Sequence, residues 1–132
     1  MNQIHAKVAE IQRLNNLTIV SFDFEGQPMQ MMALEISEKL EIGTDVILGM
    51  KATNIILSKE YEGIISVSNQ LNCIVEKVGN GELLTSVTLR IGKNLIESII
   101  TRKSSSNMNL QEGDKVKALI NESELSILEI RS

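Results

Sequence analysis

The chain has 132 residues, 13 basic against 17 acidic, a formal net charge of −4, 42% hydrophobic residues and only 2% aromatic ones. A single Cys and a single His exclude an intramolecular disulfide, a Cys-rich zinc site and a multi-His metal centre within one chain. Acidity and the lack of stacking aromatics oppose a nucleic-acid surface, and no apolar run approaches the ~20 residues that span a bilayer.

The hydropathy pattern predicts short strands separated by turn residues. Ile4, Ala6, Val8 and Ile11 sit near alternating spacing, and Asn15-Asn16 makes a turn into a strand carrying Leu17, Ile19, Phe22 and Phe24. Gly26-Gln27-Pro28 is a second turn, followed by a methionine-rich strand over 29–34 whose Met29, Met31 and Met32 read as packing residues. One helical turn is expected over 36–40, then two brief strands, 46–50 and 54–57, that close the unit. Residues 58–63, polar and ending in Gly, read as a linker. A second series follows: a strand over 71–78, a hairpin signal at Gly79-Asn80-Gly81, a strand over 83–91, a turn at Gly92-Lys93-Asn94, a strand over 95–101, a polar loop around Ser104-Ser105-Ser106, and strands over 116–120 and 125–130.

The second series repeats the first. Asn2-Gln3-Ile4 returns as Asn69-Gln70-Leu71, Val8 as Val75, and Thr18-Ile19-Val20 as Thr85-Ser86-Val87, all 67 residues later. Leu40-Glu41-Ile42-Gly43 returns as Leu110-Gln111-Glu112-Gly113, 70 residues later, so the second copy holds three extra residues, placed in the polar loop over 103–107. The expected architecture is all-β with one short helical turn per repeat: two tandem five-stranded barrels of the oligonucleotide/oligosaccharide-binding (OB) type, residues 1–62 and 63–132. Units of this size sit near the lower limit of independent stability, which duplication, strand exchange or oligomerisation relieves. The first unit holds 5 basic and 9 acidic residues and the second 8 and 8, so the acidity belongs to the first. His5 is expected on the outer face and Cys73 in the core. Glu122 and Glu124 read as solvated charge, and the serine run as a flexible loop without the glycine–lysine frame of a P-loop.

Several segments, in order, resemble the Mop, or TOBE, family of molybdate-binding domains. Ser66-Val67-Ser68-Asn69-Gln70-Leu71 is similar to that family's opening Ser-Ala-Arg-Asn-Gln-Leu. Glu97-Ser98-Ile99-Ile100-Thr101 is similar to its Thr-x-Ile-Ile-Thr strand, and Leu110-Gln111-Glu112-Gly113-Asp114-Lys115-Val116 to its Leu-x-Glu-Gly-Asp-x-Val. In the first repeat Lys51-Ala52-Thr53-Asn54-Ile55 resembles the closing Lys-Ala-Ser-x-Val. The resemblance implies a cytoplasmic protein that binds molybdate or tungstate for storage, buffering or sensing. It implies oxyanion sites between barrels and a homo-oligomer, a trimer of tandem barrels, with a transporter or regulator as a further possible partner. Neither a membrane nor a nucleic-acid partner is expected, and the location expected from the absence of a secretory leader is the cytoplasm.

The chemistry of such a site is intelligible from the residues. A tetrahedral dianion offers only acceptors, so it is held by converging N–H groups, hydroxyls and a fixed positive charge, with small side chains that let the backbone approach. Lys51, Ala52 and Thr53 of the first repeat, with Ser66, Val67, Ser68 and Asn69 of the second, form the expected oxyanion site. The equivalent second site, Asn2 with Asn121, Glu122 and Ser123, departs from the family pattern. Ser68 stands where the family has Arg, and Asn121-Glu122 where it has Lys-Ala, so a carboxylate would meet any anion there. No Ser–His, Cys–His or paired-carboxylate arrangement supports an enzyme, and no metal site is expected. The alternative reading is a degenerate Mop-type regulatory module that acts through protein contacts without ligand. A third, an oligonucleotide-binding barrel, is permitted by the fold and opposed by charge and aromatic content.

Overall fold

In the computed structural model the described residues are 1–36 and 39–131. The described residues form ten strands: β1 (Asn2–Leu14), β2 (Leu17–Phe24), β3 (Gln27–Ala33), β4 (Asp45–Met50), β5 (Ile56–Ser58), β6 (Asn69–Asn80), β7 (Leu84–Ile91), β8 (Asn94–Thr101), β9 (Lys115–Ile120) and β10 (Ser126–Ile130). Two 3-10 turns, Ala52–Asn54 and Glu122–Glu124, and one α-helix, α1 (Arg102–Met108), complete the described elements. The helical turn expected over 36–40 falls partly on Ser37 and Glu38, outside the described residues.

Alternation explains the strands. Ile4, Ala6 and Val8 of β1 point inward while His5 and Lys7 point out. The register then slips between Val8 and Glu10 in a β-bulge, which turns Ile11 back toward the core. The second repeat has the same bulge between Val75 and Lys77. In β2 the inward set is Thr18, Val20, Phe22 and Phe24, so Leu17 and Ile19 lie on the other, half-buried face. Asn15, at φ 55, takes the left-handed position of the first hairpin turn, which asparagine tolerates better than most residues. Met29 and Met31 are core residues, and Met32 on the opposite face is 43% exposed.

The hydrogen bonds of the two halves repeat as the sequence does. The Val8 N–H donates to the Thr44 carbonyl at 2.9 Å and the Val8 carbonyl accepts from the Gly43 N–H at 2.8 Å; Val75 makes the same two bonds with Asp114 and Gly113 at 2.8 Å each. The Glu41 N–H is held by Thr44 Oγ1 at 3.2 Å, and the Gln111 N–H by Asp114 Oδ2 at 2.9 Å.

Two antiparallel five-stranded sheets result, in the orders β10-β4-β1-β2-β3 and β5-β9-β6-β7-β8, an OB-like arrangement in each case. The last strand of each repeat joins the other repeat's sheet. β5, expected to close the first unit, pairs with β9 as Ile56↔Leu119 and Leu57↔Ala118. β10 pairs with β4 as Ile127↔Leu48 and Ile130↔Val46. Gly49 makes the second exchange possible, because a Cβ there would come within 2.6 Å of the Leu128 side chain, which lies over the bulge of β10. The strand expected over 54–57 accordingly starts later, since Asn54 belongs to the preceding turn. The buried residues of both sheets form one continuous cluster, from Ile4, Phe22 and Leu48 through to Leu71, Leu89 and Ile120. Each small sheet thus completes its core with the other's strand.

The polar loop expected over 103–107 is instead α1. Its start is capped by Thr101, whose hydroxyl accepts the Ser104 N–H at 3.1 Å, and Ser105 is buried. Its end is held from a distance: the Lys59 ammonium donates to the Met108 and Asn109 carbonyls at 3.2 and 2.9 Å and pairs with Asp114 at 3.0 Å. A cation at a helix C-terminus meets the free carbonyls there, so Lys59 of the expected linker is a structural residue of the second unit.

Cys73 is buried, as its alternation predicts, and desolvation pushes its thiol up to about 11 against a smaller lowering by a hydrogen bond from the Ala118 backbone. Because the thiolate is the nucleophile, alkylation by iodoacetamide at neutral pH should proceed only on unfolding; labelling of the native chain at the rate of a free thiol would contradict this placement.

Candidate functional site

The residues singled out by sequence gather where the two sheets meet, at the starts of β1 and β6 and at the two 3-10 turns. The turns follow β4 and β9 directly, and the starts of β1 and β6 pair with the ends of those strands, as Asn2↔Met50 and Asn69↔Ile120. The first repeat therefore carries Asn2 beside Lys51, and the second carries Asn69 beside Asn121.

Asn2 and Asn69 are staples between the sheets. Asn69 is fully buried; its Oδ1 accepts the Gln30 N–H at 2.7 Å and its Nδ2 donates to the Gln30 carbonyl at 2.8 Å. Asn2 makes the same pair with Glu97, from the Glu97 N–H at 2.8 Å and to the Glu97 carbonyl at 2.7 Å. Each side-chain amide thus mimics a strand backbone and satisfies one residue on the outer strand, β3 or β8, of the opposite sheet. The Asn69 amide, grouped with the oxyanion residues by sequence, is committed to this junction.

The two 3-10 turns differ in what they leave open. A turn's first N–H groups have no acceptor within it. In the second turn Asn121 supplies one: its Oδ1 accepts from the Ser123 N–H at 3.1 Å and the Ser123 hydroxyl at 3.0 Å. In the first turn Lys51 stands at the same position and supplies no side-chain cap, so the turn's first N–H groups are left without one. Lys51 and Thr53 are exposed and Ala52 is half-buried. A small residue, a hydroxyl, uncapped N–H groups and a positive charge on one turn make a donor-rich surface suited to an anion.

Ser68 lies against the second turn. The Ser68 N–H and hydroxyl both donate to Glu122 Oε1, at 2.7 and 2.6 Å, and Gln30 Oε1 lies 3.5 Å from the same hydroxyl. The Ser68 hydroxyl first, and its N–H second, hold the Glu122 carboxyl below the ordinary glutamate value. Glu124 accepts from Asn54 Nδ2 at 2.9 Å, which ties the two turns together. Glu122 and Glu124, expected as solvated charge, also make hydrogen bonds at the surface, Glu122 to Ser68 of its own repeat and Glu124 to Asn54 of the other. Ser68 is brought to Glu122, and Asn54, next to Thr53, to Glu124, while no hydrogen bond or ion pair among the described residues joins Lys51, Ala52 or Thr53 to Ser66, Val67 or Ser68. Sequence reading missed the staple role of Asn2 and Asn69 and the partnership of Gln30 and Glu97. The shared spacing of 67 residues between both pairs was the available signal.

Among the described residues no group of three or more His, Cys, Asp or Glu could hold a metal ion. No helix of the described residues is long and apolar enough to cross a membrane.

Residues 65–127 match the model of the TOBE domain family. Among solved structures the chain is similar to ModG, a cytoplasmic molybdate-binding protein determined with molybdate bound, with a TM-score of 0.87 and 22% identity over 96% of this chain and 94% of that one. No curated protein matches the sequence.

Proposed function

We propose that this chain, whose residues 65–127 belong to the TOBE domain family, is a cytoplasmic oxyanion-binding protein that holds molybdate or the isosteric tungstate. The observation that carries the reading is the first 3-10 turn, where Lys51, Ala52 and Thr53 bring a cation, backbone N–H groups and a hydroxyl together and no side chain caps the turn. The molybdate-bound relative of the same fold supports the choice of anion. In this reading Lys51 supplies the fixed charge, and the Ala52 and Thr53 N–H groups and the Thr53 hydroxyl contact the anion. Ser68 contributes less, since its donors are already engaged by Glu122.

The assembly proposed is a homo-oligomer. Apolar grooves run between the outer strands of each sheet, one lined by Met31, Met32, Leu125 and Ile127 and the other by Ile55, Leu57, Ile99 and Ile100. Exposed Leu34, Ile56, Leu84 and Leu128 stand near them, and unpaired edges of this kind are usually covered by another chain. Storage, buffering and sensing all fit such a protein.

Isothermal titration with molybdate, tungstate and sulfate tests the reading. Saturable heat with molybdate and tungstate, and weaker or no heat with smaller sulfate, is expected. A second reading, a module that works through protein contacts without ligand, is favoured by the engagement of Ser68 with Glu122. Absence of heat with all three anions would select it.

A further inference from the structure

The second repeat retains the geometry of an anion cradle and fills it from within. Ser68 directs two donors at one point, and a carboxylate oxygen of Glu122 occupies that point at 2.7 and 2.6 Å. The open N–H of the adjoining turn is taken by Asn121 at 3.1 Å. At the equivalent places in the first repeat stand Met1 for Ser68, Lys51 for Asn121 and Ala52 for Glu122, and the turn carries no side-chain cap. The two cradles thus differ in a concerted way. Where the cation is present the donors are open, and where the cation is absent a tethered carboxylate and an amide satisfy them.

Resting on the oxyanion-binding reading above, we infer that Glu122 is a built-in anion: its carboxylate takes the donors that would hold a tetrahedral oxyanion and closes the second cradle to ligand. Three physical features support this. The short hydroxyl–carboxylate bond is charge-assisted. The tether keeps the carboxylate at high effective concentration, so a free anion competes against an intramolecular partner. Glu122 forms no ion pair among the described residues, so an arriving dianion meets an unneutralised negative charge there. The donors that an anion takes in an open cradle are taken in the second repeat by the chain itself, and the protein carries one ligand-responsive cradle and one that is always filled.

The test writes the first repeat's residues into the second. Bound molybdate per chain is counted by equilibrium dialysis and elemental analysis, with sulfate as a parallel probe, for the wild type, E122Q and N121K/E122A. Circular dichroism verifies the fold of each. N121K/E122A is expected to bind one more molybdate per chain than the wild type, and E122Q, which keeps an acceptor oxygen facing Ser68, the wild-type number. If the wild type binds molybdate and folded N121K/E122A gains none, the inference is overturned and the reading of the Lys51 turn stands. If the wild type binds none and N121K/E122A binds one, the inference is supported and the Lys51 site is refuted. Binding by neither overturns both. Should the double variant fold poorly, E122A alone carries the test through its melting temperature. That temperature is expected to fall and then to rise with molybdate by more than the wild type's does; an equal rise overturns the inference.

Discussion

Ending the chain at Leu125 should destabilise the half of the protein to which the missing strand does not belong in sequence. β10 lies in the second repeat, yet its partners are Val46, Ile47, Leu48 and Gly49 of β4. Its loss exposes that edge and removes the packing of Ile127 and Ile130 on the core. A handful of ladder hydrogen bonds at about 1 kcal/mol each, together with partial burial of these side chains at about 25 cal/mol per Å², gives a cost of about 3–5 kcal/mol. That is a large share of the ~5–15 kcal/mol by which domains are stable. Denaturant unfolding measures the cost, and amide hydrogen exchange locates it. Protection should fall at 46–50 while 115–120, held by β5 and β6, keep theirs. Loss of protection at 115–120 instead would contradict the exchange of strands.

Asn69→Ala should cost about 2–4 kcal/mol, because removing the amide strands an N–H and a C=O of Gln30, each worth about 1–3 kcal/mol when left unpaired in a buried setting. Asn2→Ala removes the same two bonds to Glu97 in an exposed setting, where water replaces them, so its cost should stay below about 1 kcal/mol. Asn69→Asp should resemble the alanine variant, since a carboxylate can accept the Gln30 N–H but turns a second acceptor toward the Gln30 carbonyl. Urea unfolding of the three variants checks the order. Equal losses at Asn2 and Asn69 would show that the staples do not carry the junction.

The strands were legible in the sequence because alternation and turn residues act locally. Val8 to Ile11 broke the alternation, and the structure supplies the reason in a bulge that both repeats share. Strand exchange was named beforehand only as one way to relieve small size. No local pattern distinguishes the alternatives, because β5 and β10 follow equivalent turns in equivalent repeats and each presents apolar residues that suit either sheet. The helix at 102–108 was illegible for a related reason. Its residues have no apolar period, and what holds its C-terminus is Lys59, some fifty positions earlier. At the candidate site the chemistry of the Lys51 turn could be read from residue types. The engagement of Ser68 by Glu122 and of Ser123 by Asn121 could not, since both depend on how side chains meet at a junction of two sheets.

Net acidity does not oppose the anion site proposed at the first turn. The excess of acidic residues lies in the first repeat, but the turn after β4 begins at Lys51 and carries no side-chain cap, and the carboxylates of the other turn are bound to Ser68 and Asn54. Local donors, rather than net charge, decide what the turn can hold.

The most direct measurement is calorimetric titration of molybdate into the wild type, Lys51→Ala and Asn121→Ala. Loss of one charge-assisted contact is worth about 1.5–3 kcal/mol, or roughly ten- to a hundredfold in affinity. Lys51→Ala should therefore weaken binding at least tenfold and Asn121→Ala much less. Equal losses in the two variants, or undiminished binding by Lys51→Ala, would contradict an oxyanion site at the first turn.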